Sequence, residues 1–376
     1  MRSLGKTTAQ LQRFKKQWEQ LAAAQGAAQG GASEPGRLTP LGPFGSNPGN
    51  LKGFTYVPAD LAPGAPLVVV LHGCTQNAAG YDLGAGWSAL ADRHGFAVLC
   101  PEQQQANNPK LCFNWFQPED TTRDGGEALS IRQMTEAMIA RHGLDRRRVF
   151  VTGLSAGGAM TAVMLATYPD VYAGGAIIAG LPYGGAGNVQ EALEGMFQGR
   201  ELAAREWGNR VRAASPHRGA WPKLSVWHGS ADPTVKPMNA DEIVKQWTDL
   251  HGIALDGASR STGAGFTRQT WSRDGEALVE SYTIAGMAHG TPLSCAGGIG
   301  RAGPFLLEAG ISSSERILEF WGLAPETDLN VEILPPLRGS AKPEPQQTWH
   351  TGEAASGTDV GSIIARALRQ AGLMKN

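Results

Sequence analysis

The pentapeptide GLSAG at residues 153–157 constrains the fold of this chain more than any other part of its sequence. The preceding run RVFVT is typical of a buried strand, and the run GGAMTAVMLAT that begins at the last glycine is typical of a helix. So tight a turn between a strand and a helix requires glycines on both sides of Ser155, because larger side chains would clash with nearby backbone. The pattern predicts that Ser155 projects above a sheet from strained backbone, at a helix N-terminus whose dipole favours negative charge.

Apolar runs and helical patterns alternate along most of the chain, which predicts an α/β fold with a mostly parallel central sheet and helices on both faces. The run LVVVL at 67–71 is wholly apolar, as expected for a strand buried on both faces. The predicted strands are Gly53–Val57, Leu67–Leu71, Ala97–Leu99, Arg148–Thr152, Gly174–Ile178, Leu224–Trp227 and Val279–Ile284. The predicted helices include Gly125–Arg141, Ala156–Thr167, Pro237–His251 and Ser313–Phe320.

The two ends of the chain differ in composition from this alternating region. Residues 1–50 combine a glycine- and proline-rich leader with a basic segment, in which apolar residues spaced three and four apart between 11 and 21 predict an amphipathic helix. Residues 51–324 are predicted to form the α/β domain. Residues 325–376 are predicted to form a proline-rich tail with a terminal helix near Val360–Leu373.

The charge balance disfavours nucleic acid as a partner. With 33 basic and 34 acidic residues the net charge is −1, so no global positive field would attract phosphates. No apolar run reaches the roughly 18 residues that would cross a bilayer. The N-terminal segment lacks the apolar core of a secretory signal, which favours a cytoplasmic location, with an extracellular location as the alternative for a mature form. Its amphipathic helix could contact a hydrophobic granule or surface.

The four cysteines show no paired spacing of the kind that holds zinc, and we expect neither a metal nor another cofactor. Cys100 closes an apolar strand and is predicted to be a buried thiol. Cys74, Cys112 and Cys295 each lie beside a motif, so one disulfide can form among them, and the sequence leaves the pairing open.

A serine hydroxyl becomes an effective nucleophile only beside a base, and after a turn of this kind the acid and the histidine follow the serine in chain order. Three of the eight histidines precede Ser155. Among the rest, His289 lies in the glycine-flanked loop GMAHG, just after an apolar strand, and is the predicted base. The others are less suited, because His228 ends a strand, His217 precedes the expected acid, and His251 and His350 lie at a helix end and in the tail.

Asp232 is the predicted acid, because the segment LSVWHGSADPTV ends a strand and delivers this carboxylate into a loop. A carboxylate there can accept a hydrogen bond from one imidazole nitrogen and stabilise the imidazolium. The alternative for Asp232 is a purely turn-forming role before Pro233. Other acidic side chains fit less well, because they lie on the following helix or in loops without a preceding strand end.

Acyl transfer also requires donors for the developing oxyanion, each typically worth about 10²–10³ in rate. The backbone N–H of Ala156, next to Ser155, is one candidate. The other is the backbone N–H of Cys74, in the loop HGCTQ that follows the predicted strand Leu67–Leu71.

Four side chains near these motifs are predicted to form apolar walls of a substrate site, and they are Trp115, Leu181, Tyr183 and Met287. Such walls suit an acyl chain or a phenolic acyl group. No arginine or lysine lies within the motifs, which disfavours a site for phosphate or carboxylate groups.

Six segments in this order resemble the poly(3-hydroxybutyrate) depolymerase-like esterases, which are kin of feruloyl and acetylxylan esterases. They cover roughly residues 51–322 and read HGCTQ (72–76), CFNWF (112–116), GLSAGGAM (153–160), AGLPYG (179–184), HGSADPTV (228–235) and GMAHGTP (286–292). The resemblance implies an α/β-hydrolase fold and a catalytic triad of Ser155, Asp232 and His289, and it supports Cys74 as an oxyanion donor.

The same resemblance implies a serine esterase that hydrolyses carboxylic esters through an acyl-enzyme. Its expected substrate is short-chain polyhydroxyalkanoate, as 3-hydroxybutyrate polymer or oligomers. A feruloyl or acetylxylan esterase is the alternative. A peptidase with the same triad is disfavoured, and a non-catalytic granule-binding protein is a remote third hypothesis. Many relatives carry a signal peptide, and polymer-degrading members often add a substrate-binding domain. Only about fifty residues follow the α/β domain here, so soluble oligomers, small esters or amorphous granules are the expected targets.

Overall fold

A mixed sheet of eleven strands organises the part of the chain that the structure describes. The structure is a computed structural model, and it describes residues 36–327 and 331–334. The helices predicted between residues 11 and 21 and near Val360–Leu373 lie outside the described residues. The strands of this sheet are β1 (Thr39–Pro40), β2 (Lys52–Tyr56), β3 (Leu67–Leu71), β4 (Ala97–Glu102), β5 (Val149–Leu154), β6 (Gly174–Ile178), β7 (Lys223–Gly229), β8 (Ser259–Gly263), β9 (Phe266–Arg273), β10 (Glu276–Ile284) and β13 (Glu332–Leu334). Two further strands, β11 (Thr291–Leu293) and β12 (Leu306–Glu308), pair with each other.

Six neighbouring strands at the centre of the large sheet, in the order β4-β3-β5-β6-β7-β10, are parallel. Antiparallel strands flank them, with β2 and β1 on one side and β9, β8 and β13 on the other. The predicted parallel sheet is therefore confirmed for its central strands, and its edges are antiparallel.

Helices cover both faces of the sheet, as predicted. The helices of the described residues are α1 (Ala78–Ala85), α2 (Trp87–His94), α3 (Pro118–Thr121), α4 (Gly126–His142), α5 (Ala156–Thr167), α6 (Val189–Gln198), α7 (Ala204–Ala213), α8 (Met238–His251) and α9 (Ser313–Phe320). The four predicted helices agree with α4, α5, α8 and α9 to within one residue at each end.

Each face of the sheet has its own apolar core, and β3 contributes to both. Leu67, Val69 and Leu71 pack into one core, with residues of α4, α5 and α8. Val68 and Val70 pack into the other core, with residues of α1, α2 and α9. Successive side chains of a strand point to opposite faces, so a strand between two helical layers requires an uninterrupted apolar run.

Several strands toward the two ends of the sheet were not predicted from the sequence. Strands β8 and β9 are rich in polar side chains, and in β9 only Phe266 and Trp271 are buried. Thr39–Pro40 and Glu332–Leu334 lie in the segments predicted as leader and tail, yet they pair with β2 and β8. These strands are held by backbone hydrogen bonds to their neighbours, which do not require an apolar run.

The parallel arrangement places the carboxyl ends of β3, β5, β7 and β10 at one edge of the sheet. In open α/β sheets, ligands bind beyond this edge. In the described part of the chain, no helix is both long enough and apolar enough to span a bilayer.

Candidate active site

Ser155 occupies the turn between β5 and α5 in a backbone conformation that few non-glycine residues adopt. Its φ is 56° and its ψ is −114°, and its N–H donates to the carbonyl of Ile178 at 2.8 Å. A Cβ atom at Gly157 would lie 2.3 Å from the carbonyl oxygen of Leu71, and one at Gly153 would lie 2.4 Å from that of Gly157. Both glycines are required because backbone of β3, β5 and α5 meets here with no room for a side chain. Strain of this kind is typical of functional sites.

His289 and Asp232 come together although they are 57 residues apart. Asp232 follows β7 and His289 follows β10, and these two strands are parallel neighbours. The Nδ1 atom of His289 lies 2.7 Å from Oδ2 of Asp232, whose side chain is completely buried. The imidazole therefore donates this proton to the carboxylate, which leaves its Nε2 atom free for other chemistry.

Asp232 also shapes its own turn, so the turn-forming role considered from the sequence coexists with the contact to His289. Its Oδ1 atom accepts hydrogen bonds from the N–H groups of Thr234 and Val235, at 2.8 and 2.9 Å. Burial by itself raises the pKa of Asp232, but hydrogen bonds from His228 and His289 outweigh that effect and hold the pKa well below its usual value. The carboxylate is therefore charged at neutral pH.

A small pocket beside Ser155 brings the predicted groups together. It is lined by Gly73, Cys74, Leu154, Ser155, His289 and Phe305. Ala156 follows Ser155 as the first residue of α5, so its N–H belongs to the positive end of that helix. In the residues that the structure describes, no group of His, Cys, Asp or Glu could hold a metal ion.

His72 orients the peptide that joins Gly73 and Cys74. The N–H of Gln103 donates to Nε2 of His72 at 3.1 Å, so the ring proton lies on Nδ1 and is donated to the carbonyl of Gly73 at 2.7 Å. In a trans peptide the next N–H points the opposite way, so the N–H of Cys74 points away from His72. Among the described residues, no group accepts a hydrogen bond from that N–H.

Cys74 and Cys112 form the disulfide whose pairing the sequence left open. Cys295 and Cys100 are free thiols, and Cys100 is buried as predicted. The bond joins the loop after β3 to the segment CFNWF, and thereby restrains the peptide that carries the Cys74 N–H.

The four predicted wall residues do not line the pocket beside Ser155. Trp115, Leu181 and Met287 are buried in the cores, and Tyr183 is half-buried against one of them. Met287 nevertheless contributes to the site through its backbone, because its carbonyl accepts the N–H of Ala231 next to the acid.

Phe305 also lines the pocket beside Ser155, and this role was not predicted from the sequence. Its φ of 61° is unusual for an aromatic residue, and its carbonyl accepts the N–H of Thr291 at 2.8 Å. The ring meets His289 edge-on, with centroids 5.9 Å apart. It belongs to none of the recognised motifs, and the contact arises only when residues 303–306 fold back over the loop of His289.

Comparisons with known proteins agree with this geometry. The solved structure of an acetyl xylan esterase from Aspergillus awamori superposes with a TM-score of 0.66 at 26% identity, over 77% of this chain and 100% of that one. The fold is thus that of the α/β-hydrolase esterases. Residues 54–271 match the family model described as "Esterase PHB depolymerase", and the chain belongs to this family of ester hydrolases.

Two curated relatives are similar over most of the chain. The "Poly(3-hydroxyalkanoate) depolymerase C" of Paucimonas lemoignei is 49% identical over 291 residues, which cover 76% of this chain and 70% of the relative. An "Acetylxylan esterase" of Coprinopsis cinerea is 35% identical over 69% of this chain and 70% of the relative. The resemblance identified from the sequence motifs is confirmed.

Replacing Cys112 with serine is expected to lower kcat on p-nitrophenyl butyrate by about tenfold or more, because the loop that carries Cys74 is no longer tied in place. Loss of the disulfide should also cost about 2–4 kcal/mol of stability, so activity is compared well below the melting temperature. The matched control is Cys295→Ser, which removes a free thiol. Equal kcat values for both variants would show that the bond has no influence on the site.

Replacing Phe305 with alanine should widen the pocket and shift the preference toward longer acyl chains. The ratio of kcat/KM for p-nitrophenyl octanoate to that for the butyrate is expected to rise about tenfold, the effect of accommodating about one further methylene at roughly 1–3 kcal/mol. Phe320→Ala serves as the control, because this ring packs against Lys223 at the start of β7, at the opposite edge of the sheet. An unchanged ratio would contradict a role for Phe305 in chain-length selection.

Burial lowers the pKa of His72 to about 4, whereas an unfolded histidine titrates near 6.5. Between these values the unfolded chain binds a proton that the folded chain excludes. The contribution of His72 to the free energy of unfolding is therefore complete above pH 6.5 and is lost as the pH falls toward 4. The full loss in the free energy of unfolding is on the order of 3 kcal/mol. The free energy of unfolding is measured with urea at pH 7 and at pH 4.5. Its decrease between the two pH values should be smaller for His72→Asn than for the wild type. A loss of equal size would contradict a neutral, buried His72.

Proposed function

We propose that this esterase hydrolyses short-chain polyhydroxyalkanoate, as polymer or as 3-hydroxybutyrate oligomers, through an acyl-enzyme on Ser155. The observation that carries the proposal is one pocket that contains Ser155, His289 and Cys74, with Asp232 bonded to His289 at 2.7 Å. The 49% identity to a protein named as a poly(3-hydroxyalkanoate) depolymerase supports the substrate class.

In the proposed mechanism, His289 takes the proton of the Ser155 hydroxyl while the serine oxygen attacks the ester carbonyl. The N–H groups of Cys74 and Ala156 donate to the oxyanion that develops. The imidazolium of His289, stabilised by Asp232, then gives its proton to the leaving alkoxide. A water molecule then attacks the acyl carbonyl while His289 takes one of its protons. His289 returns that proton to the Ser155 oxygen as the acyl–enzyme bond breaks, which releases the carboxylic acid.

The chemistry of the pocket supports a neutral substrate with a short acyl chain. No cationic side chain is among the residues that line the pocket, which disfavours a phosphate or carboxylate as the group recognised. Leu154 and Phe305 provide apolar surface beside Ser155, and Phe305 limits the length of chain that fits.

The disulfide between Cys74 and Cys112 supports an oxidising location for the enzyme. We therefore propose the extracellular location that the sequence analysis considered as an alternative to the cytoplasm. Contact with a granule through the helix predicted between residues 11 and 21 remains a prediction, because these residues lie outside the described part of the chain.

An esterase for acetylated xylan or for feruloyl esters is the second candidate. It is supported by the acetylxylan esterase relative and by the solved acetyl xylan esterase, whose whole length superposes on this chain. The catalytic groups would be the same, so only the preferred ester distinguishes the two candidates.

Ser155→Ala is expected to reduce kcat/KM on every ester tested by a factor of roughly 10⁴ or more, because the acyl-enzyme can no longer form. The substrates are 3-hydroxybutyrate oligomers, acetylated xylan, methyl ferulate and p-nitrophenyl butyrate, and the wild type should favour the oligomers. Ser272→Ala, at an exposed position of β9, is the matched control.

Comparable activity of wild type and Ser155→Ala would overturn the serine mechanism. A serine-dependent activity that favours acetylated xylan or methyl ferulate over the oligomers would keep the mechanism and overturn the proposed substrate.

A further inference from the structure

His228 is a second imidazole in contact with Asp232, although its position at a strand end did not favour it as the base. It lies near the end of β7, and its side chain is 2% exposed. Its Nε2 atom lies 2.9 Å from the carbonyl oxygen of Val235 and 3.3 Å from Oδ2 of Asp232.

These contacts determine the position of the proton on His228. A carbonyl oxygen can only accept a hydrogen bond, so the Nε2 atom must be the donor to Val235 and to Asp232. The Nδ1 atom is buried and has no hydrogen-bond partner among the described residues. A proton on Nδ1 would therefore be an unsatisfied buried donor, which places the ring proton on Nε2.

The carboxylate of Asp232 consequently faces four N–H groups. Two come from the backbone of Thr234 and Val235 and meet Oδ1. The other two come from the imidazoles of His289 and His228 and both meet Oδ2. Because both imidazoles share one oxygen atom, a change in one hydrogen bond alters the charge that the other imidazole meets.

The other charged groups near His228 are few. Asp232 faces it from the loop that follows β7 and also contacts His289, and Asp241 acts on it from the exposed start of α8. Lys245, one turn along α8, also acts on Asp241, but its ion pairs are with Glu242 and Glu201. The partner of His228 at hydrogen-bond distance is therefore Asp232 alone among these charges.

We propose that His228 is a positioning residue that acts through Asp232: it orients the carboxylate and weakens the negative charge that Oδ2 presents to His289. This inference rests on the proposed roles of Asp232 and His289. Without the donor from His228, the full charge of Oδ2 would act on His289 and stabilise its protonated form. The enzyme would then lose activity at the acidic end of its pH range and recover it at higher pH.

The test compares three substitutions of His228. Glutamine places its amide nitrogen near the position of Nε2 and can keep the donor, asparagine places it near Nδ1 and cannot, and leucine removes it. In His228→Asn and His228→Leu, the pKa on the acid limb of the kcat/KM profile for p-nitrophenyl butyrate should rise by about half a unit to one unit. His228→Gln should restore the wild-type profile.

His251 provides a matched control. It is also a buried histidine whose Nε2 donates to a carbonyl, that of Pro222 at 3.1 Å, but it lies at the end of α8 away from Asp232. His251→Asn should lower stability without moving the acid limb. If it moves the limb as far as His228→Asn does, the shift reflects general loss of structure and the proposal is overturned.

A second measurement does not depend on ester hydrolysis. The imidazole of His289 is titrated by NMR in the wild type and in His228→Asn, with His289→Gln used to assign its signal. A raised pKa of His289 in His228→Asn supports the proposal even if the enzyme acts on a different ester. An unchanged pKa overturns it, whereas failure of Ser155→Ala to abolish activity would overturn the proposed function instead.

Discussion

The close approach of the end of β3 to the start of α5 is the constraint on which the rest of the site depends. The carbonyl oxygen of Leu71 lies where a Cβ atom of residue 157 would stand, so only glycine permits the contact. This contact holds Ser155 in its strained turn. It also places the loop that begins at His72 directly beside the serine, since that loop continues from the same strand.

The electrostatics of the site follow from burial combined with a complete set of hydrogen bonds. Asp232 is buried and yet charged, because four N–H groups meet its two oxygen atoms. His72 is buried and neutral, because its two ring nitrogens are satisfied by one backbone donor and one backbone acceptor. Thus a negative charge lies beside His289, while the proposed oxyanion donors, the N–H groups of Cys74 and Ala156, are neutral.

Much of the fold could be predicted from the sequence, because the central strands and the long helices carry strong local patterns. The run LVVVL and the helix that begins at Ala156 are examples, and their observed bounds equal the predicted ones. Strands β8 and β9, near one end of the sheet, could not be predicted in this way. They are held by hydrogen bonds between strands, β9 to β10 and β8 to β9, and such pairing is not visible in a polar segment.

The local sequence was sufficient to locate Ser155 in its turn and to select His289 and Asp232 as its candidate partners, because turn chemistry, strand ends and chain order are properties of short segments. The tertiary structure decided which residues those groups meet. The pairing of Cys74 with Cys112, the ring of Phe305 over His289 and the second imidazole on Asp232 all depend on which loops share one edge of the sheet. Such contacts join residues far apart in the chain, and no local pattern encodes them.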